Sequence, residues 1–268
     1  MIENIKIVIR ENYENRFRTL RLAMYELKAQ NSGTYFGFLW NFINPALQIF
    51  VYWFVFSIGL NAAVPRGEYP YIIWMIVGII PWFFISTAIL SASNSIYAYS
   101  SVLKRMYIPL SIVPTKTILS SLLGHLLSMV VVFVIIFASG YKTSIYTLQL
   151  PYFIICSTVF LVGFSLFSSS ITVVFKDFQK ILNSIMRLLF YITPVVWSQE
   201  NLPENLRFIL RLNPLAYIIE GYRESMLYGR GLEWHWKQGI YFWVITLILL
   251  IVGCNIHMKF RKKFIDLI

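Results

Sequence analysis

Two groups of polar and aromatic residues repeat every fourth position inside apolar stretches of this sequence. The first group consists of Trp40, Asn44, Gln48 and Tyr52, within the uncharged residues 39–60. Side chains four apart share one face of a helix, and amides in an apolar helix need hydrogen-bond partners or water. The stripe therefore indicates one wall of a polar passage, and interhelical hydrogen bonding within a helix bundle is the alternative.

The second group, Asn183, Arg187 and Tyr191, has the same spacing within residues 181–197. An arginine at the centre of a span costs about 2.5–3.5 kcal/mol on insertion scales, so it should face a partner, water or an anionic substrate. The alternative is that Arg187 snorkels to the membrane interface. We predict that both stripes line one conduit, with Arg187 near its cytoplasmic mouth.

The composition identifies the class of protein. Of 268 residues, 58% are hydrophobic and only 13% are charged, about half the charged fraction of a soluble domain. Several runs of about 20 apolar residues predict an all-α, polytopic membrane protein. The net charge of +11 is not read as nucleic-acid binding, because the cations flank apolar runs, where they set topology and meet lipid headgroups. Cys156 and Cys254 lie inside apolar runs and are interpreted as packing residues.

The apolar runs predict six transmembrane helices in a single domain. The predicted spans are about 39–60, 71–96, 112–138, 151–174, 181–197 and 239–257. The domain over residues 1–268 would consist of a cytoplasmic interface segment (1–37), the six-span region (38–258) and a cytoplasmic tail (259–268). Lys and Arg are concentrated on one side, so both termini are predicted to be cytoplasmic in a multi-pass protein of the plasma membrane.

Residues 13–30 alternate charged and apolar side chains. This stretch is too polar to span a bilayer and predicts an amphipathic helix in the membrane interface. Arg16, Arg18 and Arg21 would face the lipid headgroups.

Residues 198–238 are too charged for a simple span and too apolar for a free loop. They predict two short helices that re-enter the outer leaflet from outside, between spans five and six. Glu220, Arg223 and Glu224 fall within one helical turn and could pair with each other. An amphipathic loop on the outer surface is the alternative.

A short basic segment, residues 102–109, carries apolar side chains that suit a helix inserted into the groove of a partner protein. Its candidate contact residues are Leu103, Lys104, Arg105, Met106 and Tyr107. Packing on this protein's own surface is the alternative.

Several chemistries find no support in the sequence. There is no G-x-x-x-x-G-K-[ST] phosphate loop, so the chain is not expected to power transport with ATP by itself. The three His residues have no metal-ligand spacing, no nucleophile–base set can be assigned, and no carboxylate lies in mid-span. We therefore predict no catalytic residue, no metal and no cofactor in this chain.

Seven segments carry a resemblance to a known family. They are SGTYFGFLWNFINPALQIFVYWFVF (32–56), GIIPWFFISTAIL (78–90), KRMYIPLSIVPT (104–115), VFKDF (174–178), LLFYITPVVW (188–197), NPLAYIIEGYRESMLY (213–228) and HMKFRKKF (257–264). In this order the chain resembles the membrane subunits of ABC-2 type polysaccharide exporters, most closely the wall teichoic acid export permeases. Lys176 stands where related O-antigen and capsule exporters often have Arg.

The resemblance implies a homodimer bound to two ABC ATPase subunits, which would hold the ATP and Mg²⁺. It implies export of a polyprenyl-diphosphate-linked glycopolymer. The helix within 13–30 would be the family's interface helix, 102–109 its coupling helix on the ATPase, and 198–238 its external re-entrant helices.

The sequence-based hypothesis is thus an ATP-driven permease for a lipid-linked glycopolymer, with wall teichoic acid first. The alternatives are export of O-antigen or capsule polysaccharide, and export of a drug or small lipid. A different class is a membrane enzyme or assembly scaffold acting on lipid-linked sugars without an ATPase.

Overall fold

The computed structural model describes residues 2–30, 32–60, 69–103, 108–199 and 202–267. Regular structure in these ranges is entirely helical, which confirms the all-α prediction. The helices of eight or more residues are α1 (Ile2–Glu14), α2 (Arg16–Ala29), α3 (Trp40–Trp53), α4 (Tyr71–Ser93), α5 (Ile112–Ala138), α6 (Leu150–Val174), α7 (Phe178–Ile192), α8 (Glu204–Arg211), α9 (Pro214–Arg223) and α10 (Trp236–Leu267). Single turns at Ser95–Ala98 and Ser100–Leu103 follow α4, and π-helical turns at Phe54–Gly59 and Glu224–Tyr228 extend α3 and α9.

Five helical segments in the described ranges are long and apolar enough to cross a membrane. They are Gly37–Gly59, Tyr71–Ser93, Ile112–Ala138, Ile145–Val174 and Trp236–Arg261. The shortest have 23 residues, and 23 residues span about 35 Å of helix against about 30 Å of hydrocarbon. These segments correspond to the predicted spans one to four and six.

The predicted fifth span, 181–197, is helical only as far as Ile192. Helix α7 has 15 residues, about 22 Å, which is shorter than the hydrocarbon core. Thr193 then adopts an extended conformation (φ −75°, ψ 136°), as expected for a residue that precedes proline. The count of six spans therefore stays a prediction.

Helix α4 lies at the centre of the fold. Of its most apolar 18-residue window, 78% is buried, and it packs against α3, α5, α6, α7 and α9. Helix α3 is the opposite case, because none of the corresponding window in Gly37–Gly59 is buried within the chain. Helix α4 therefore lies in the interior of the bundle, whereas the surface of α3 is left for contact with lipid or another protein.

Arg223 at the end of α9 supports the non-helical backbone after α7. Its side chain is buried, with the residue 2% exposed. Nη1 donates a hydrogen bond to the carbonyl oxygen of Pro194 at 2.6 Å, and Nη2 donates to that of Val195. The guanidinium also lies 3.6 Å from the centre of the Trp74 ring, a cation–π contact. Arg223 thus replaces the donors that these carbonyls lose when the helix ends.

Two further side chains complete this support. Tyr71 Oη donates to the carbonyl oxygen of Val196 at 2.5 Å. Asn213 Nδ2 donates to Thr193 Oγ1 at 2.8 Å, while Asn213 Oδ1 accepts from the Leu215 main-chain N–H at 3.0 Å and caps α9. The break after α7 is therefore held from both α4 and α9.

Of the three charged residues predicted to pair with each other, Arg223 supports the backbone after α7, and Glu224 lies beyond α9 in the π-helical turn. The hydrogen bonds described for Arg223 go to main-chain carbonyls, and Glu224 Oε2 lies 3.6 Å from Arg230 Nε. Glu220 is half-buried. The membrane depth of α8 and α9 stays a prediction.

The predicted amphipathic helix 13–30 is two helices, since α1 ends before Asn15 and α2 begins at Arg16. Polar contacts tie both to the bundle. Glu11 of α1 accepts hydrogen bonds from Ser111 Oγ and Arg261 Nη1, each at 2.6 Å. These contacts fix α1 between the start of α5 and the end of α10.

Helix α2 is tied to α5 by an ion pair. Lys116 Nζ lies 2.5 Å from Glu26 Oε2, and the two side chains are only 6% and 27% exposed. Thr117 Oγ1 donates to Glu26 Oε1 at 3.2 Å, and Lys116 Nζ lies 4.2 Å from the centre of the Tyr99 ring. The charge of Lys116 is therefore compensated from two sides.

We expect Glu26→Gln to destabilise the protein, because it leaves the Lys116 charge buried without its counter-ion. Breaking such a pair costs about 3–5 kcal/mol when fully buried, so a loss of about 2 kcal/mol or more in unfolding free energy is expected. Thermal unfolding in detergent measures it. Glu14→Gln is the matched control, since the Arg10–Glu14 pair is exposed and such pairs contribute little. Equal melting temperatures for the two variants would contradict this role.

We also expect Gly78→Ala and Arg223→Met to destabilise by the same mechanism. A Cβ at Gly78 would overlap the Arg223 guanidinium and displace it, and each buried carbonyl left without a donor costs about 1–3 kcal/mol. The double variant should therefore be clearly less destabilised than the sum of the two single variants. Gly124→Ala is the control, since its Cβ would meet Leu27 Cδ1 at an ordinary 3.6 Å. Strict additivity would contradict the shared mechanism.

Candidate functional site

The two predicted stripes meet at one cavity between α3, α4 and α7, which we call the α3–α7 cavity. Its volume is about 700 Å³. It is lined by Gln48, Tyr52, Trp82, Phe83, Ser86, Thr87, Leu90, Asn183, Met186, Arg187, Phe190 and Tyr191. Five of the seven residues predicted to line a conduit are thus on the wall of a single cavity.

Aromatic side chains form one part of this wall. The ring centres of Tyr52 and Phe190 lie 4.9 Å apart, those of Trp82 and Phe190 5.7 Å, and those of Phe190 and Tyr191 5.2 Å. These contacts join all three helices. Tyr191 is 63% exposed, so an aromatic ring remains available to a ligand.

The polar part of the wall is formed by amides and one cation. Arg187 is exposed and is the single charged residue among the described residues that line the cavity. Its guanidinium makes long contacts within its own helix, from Nε to the Asn183 carbonyl at 3.4 Å and from Nη2 to Ser184 Oγ at 3.5 Å. Asn183 Nδ2 donates to the Gln179 carbonyl at 2.7 Å. The cation is therefore free to approach an anion in the cavity or to reach the interface.

A second cavity adjoins the first and is bordered by α2, α3, α4 and α5; we call it the α2–α5 cavity. It has a volume of about 280 Å³. Its lining residues are Leu27, Gln30, Trp40, Asn41, Asn44, Pro45, Gln48, Ile80, Phe83, Phe84, Thr87, Ser120, Ser121, Gly124, His125 and Ser128. Gln48, Phe83 and Thr87 line both cavities. The stripe on α3 therefore runs from one cavity into the other.

Helix α4 contributes lining residues that were not predicted. Trp82, Ser86 and Thr87 face the α3–α7 cavity from a helix that is otherwise buried. In the sequence, the hydroxyl groups of Ser86 and Thr87 inside an apolar run were the signal that this face of α4 lines a cavity. The nearly uniform hydrophobicity of α4 hides any stripe, because both its buried and its lining faces are apolar.

Gln179 fixes the position of α7 against α4. Its Nε2 donates to the Leu90 carbonyl at 3.0 Å, and its Oε1 accepts from Ser93 Oγ. Two contacts from one amide hold the first turn of α7 beside the last turns of α4. This anchoring joins the two helices that form the α4 and α7 walls of the α3–α7 cavity.

The predicted headgroup residues lie apart from both cavities. Arg16, Arg18 and Arg21 are exposed on α2. The Arg16 guanidinium lies 4.5 Å and 4.7 Å from the ring centres of Tyr13 and Phe17. Such an arrangement is compatible with a helix at the membrane interface, and headgroup binding stays a prediction.

Part of the predicted coupling segment can be placed. Leu103 ends a single helical turn and packs on a small core that contains Phe264 and Val173. Residues 104–107, which include Lys104, Arg105, Met106 and Tyr107, lie outside the described residues. Contact with an ATPase is therefore untested.

Comparison with known proteins identifies the family. The ABC-2 type transporter family matches residues 18–227. Similar proteins include the O-antigen export system permease protein RfbA of Myxococcus xanthus, 28% identical over 261 residues, which are 97% of this chain and 98% of that protein. The protein of the same name from Klebsiella pneumoniae is 27% identical over 247 residues, 91% of this chain and 92% of that protein.

A more distant relative is the polysialic acid transport protein KpsM of Escherichia coli. It is 20% identical over 240 residues, which are 88% of this chain and 90% of that protein. The family match covers most of the chain, including α3 to α9, and agrees with five helices of membrane-spanning length. The chain therefore belongs to the ABC-2 type transporter family and is a multi-pass membrane protein.

Proposed function

We propose that this chain is the permease subunit of an ATP-driven exporter of a lipid-linked polysaccharide of the O-antigen or capsule class. The observation that carries the proposal is the joint wall built by α3 and α7. Amides, aromatic rings and one arginine from these two helices border adjoining cavities in a chain of the ABC-2 family. A polymer too long to be enclosed must be threaded through such a passage.

The chemistry of the wall suits a glycopolymer. Aromatic faces such as those of Tyr52 and Tyr191 can stack on sugar rings, whereas Gln48 and Asn183 can exchange hydrogen bonds with hydroxyl groups. Arg187 would approach a phosphate or carboxylate of the substrate. These contacts can be made by many different sugars. A passage through which a polymer moves requires such tolerance.

The relatives support O-antigen or capsule polysaccharide in preference to wall teichoic acid. The reported relatives are named for O-antigen export and polysialic acid transport. The teichoic acid hypothesis rests on the sequence resemblance alone. Export of a drug or small lipid predicts a closed pocket, whereas here two cavities adjoin through Gln48, Phe83 and Thr87.

The proposal includes a second copy of this chain and two ABC ATPase subunits. No residue of the most apolar α3 window is buried in the single chain, which leaves a surface for a second permease. ATP and Mg²⁺ would be held by the ATPase subunits, because this sequence has no phosphate loop. Residues 102–109 would contact them from the cytoplasm, with both termini on that side. A membrane enzyme or scaffold would act without an ATPase.

Depletion of the protein should cause one lipid-linked polysaccharide to accumulate inside the cell. Mass spectrometry of the extracted glycolipid identifies the polymer. We also expect the protein to co-purify with an ATPase. Export should be restored only when that ATPase can hydrolyse ATP. Unchanged surface polymer after depletion, or activity without any ATPase, would overturn the proposal. Accumulation of a poly(glycerol phosphate) or poly(ribitol phosphate) chain would return the assignment to teichoic acid.

We expect the double variant Gln48→Leu, Asn183→Leu to reduce export at least about tenfold, since several hydrogen bonds of about 0.5–1.5 kcal/mol to each passing sugar are lost. The assay measures polymer at the cell surface, normalised to permease that still captures the ATPase. Gln238→Leu is the matched control, an amide on α10 that lines neither cavity. Equal export by the double variant and the control would count against the conduit.

Arg187→Gln should reduce export of an anionic polymer or diphosphate-linked substrate by about fivefold or more, because a charge-assisted hydrogen bond is lost. Arg187→Lys should retain most of the export because the charge is kept. The exposed Arg211→Gln on α8 serves as control. Export at the wild-type level by Arg187→Gln would show that this side chain only snorkels.

A further inference from the structure

The α2–α5 cavity contains buried polar atoms whose hydrogen bonds are missing. Ser120 and His125 both line it and are 0% and 4% exposed. Ser120 Oγ and His125 Nδ1 have no hydrogen-bond partner among the residues that the structure describes. Since nearly all buried polar groups in proteins are hydrogen-bonded, these two atoms indicate that the cavity takes a polar ligand or water.

The imidazole of His125 is held in one position. Its ring stacks on that of Phe84, with centres 4.7 Å apart and planes at 16°, and Nε2 lies 2.9 Å from Tyr222 Oη. Tyr222 is itself fully buried on α9. A ring fixed on two sides presents Nδ1 at a constant place, which is how a binding group is pre-organised.

The rest of the lining is uncharged, and half of its residues are polar. Hydroxyl and amide groups come from Gln30, which follows α2, and from α3, α4 and α5, and no Lys, Arg, Asp or Glu is among the described lining residues. The polar members besides Ser120 and His125 are Gln30, Asn41, Asn44, Gln48, Thr87, Ser121 and Ser128. Trp40 and Phe83 add aromatic faces. Such a mixture of donors, acceptors and ring faces matches the hydroxyls and apolar face of a sugar, whereas a phosphate would call for a cation.

The size and position of the cavity limit the ligand further. At about 280 Å³ it falls just below the roughly 300–1,000 Å³ of pockets for drug-sized ligands, which is room enough for one sugar ring. It adjoins the α3–α7 cavity at Gln48, Phe83 and Thr87. A sugar unit of a polymer in the larger cavity could therefore enter the smaller one from the side.

We infer that the α2–α5 cavity is a side subsite that binds one uncharged sugar unit of the exported polymer. Ser120 and His125 position its hydroxyl groups, and Trp40 covers its ring. The inference rests on the proposed export function and adds selection of a neutral sugar beside the passage. Such a subsite would let the permease distinguish polymers that share a lipid carrier but differ in their sugars.

Saturation-transfer NMR on the full-length permease in lipid nanodiscs tests the subsite without transport. The probes are a panel of methyl hexopyranosides, with glycerol 3-phosphate and methyl glucuronide as charged comparisons. At least one neutral glycoside should receive saturation, and the charged probes should receive little. Ser120→Ala should weaken binding of that glycoside about threefold to tenfold, as expected for one lost hydrogen bond. Ser157→Ala is the matched control, because Ser157 Oγ is buried on α6 and already donates to the Ile154 carbonyl.

The stability of Ser120→Ala provides a second readout. Without ligand this variant should melt no lower than wild type, because it removes a buried hydroxyl that has no partner, so weaker binding would not be due to misfolding. No saturation of any neutral glycoside, equal binding by Ser120→Ala and wild type, or preferential binding of glycerol 3-phosphate would each overturn the inference. These results are independent of the export assay. Intact export without glycoside binding would overturn the subsite alone, whereas glycoside binding without export would overturn the proposed function.

Discussion

The structure depends on one constraint, which is that a non-helical backbone between apolar helices must have its carbonyl groups satisfied by protein. The break at Thr193–Pro194 ends α7 after 15 residues and leaves buried carbonyls without helical donors. The guanidinium of Arg223, compensated by the ring of Trp74, supplies those donors. Because that contact joins α4, α7 and α9, it fixes where α7 can lie and so where its polar stripe faces.

A second consequence follows for α4, which serves both stability and the candidate passage. Its buried side holds the bundle together, and it presents Phe83 and Thr87 to both cavities. Polar wall residues on such a helix are held by the packed bundle, whereas no residue of the most apolar window of α3 is buried within the chain. The tethers of Glu11 and Glu26 connect the same bundle to the N-terminal helices.

The sequence predicted the helical class and six spans, of which five correspond to helices of spanning length, and the residues of its two stripes border adjoining cavities in the structure. These features could be predicted because the length of an apolar run and a spacing of four residues are local properties of a helix. The end of α7 was predicted at residue 197 instead of Ile192, although Pro194 was a visible signal that Thr193 leaves the helix. The partners of Arg223 lie 28 and 29 residues away, and pairing over that distance is set by tertiary packing. For the same reason, the cavity around Ser120 and His125 could not be predicted.

The most direct test of the account is whether Gln48 and Asn183 face one water-filled route. Gln48→Cys and Asn183→Cys, in a background in which the buried Cys156 and Cys254 are replaced by Ser, should react rapidly with a membrane-impermeant thiol reagent, because a thiolate forms readily only in contact with water. Val51→Cys, exposed on α3 but lining neither cavity, should react slowly. Both reactive positions should be protected when the polymer is trapped during export. Slow reaction at positions 48 and 183, equal to that at position 51, would contradict the central claim.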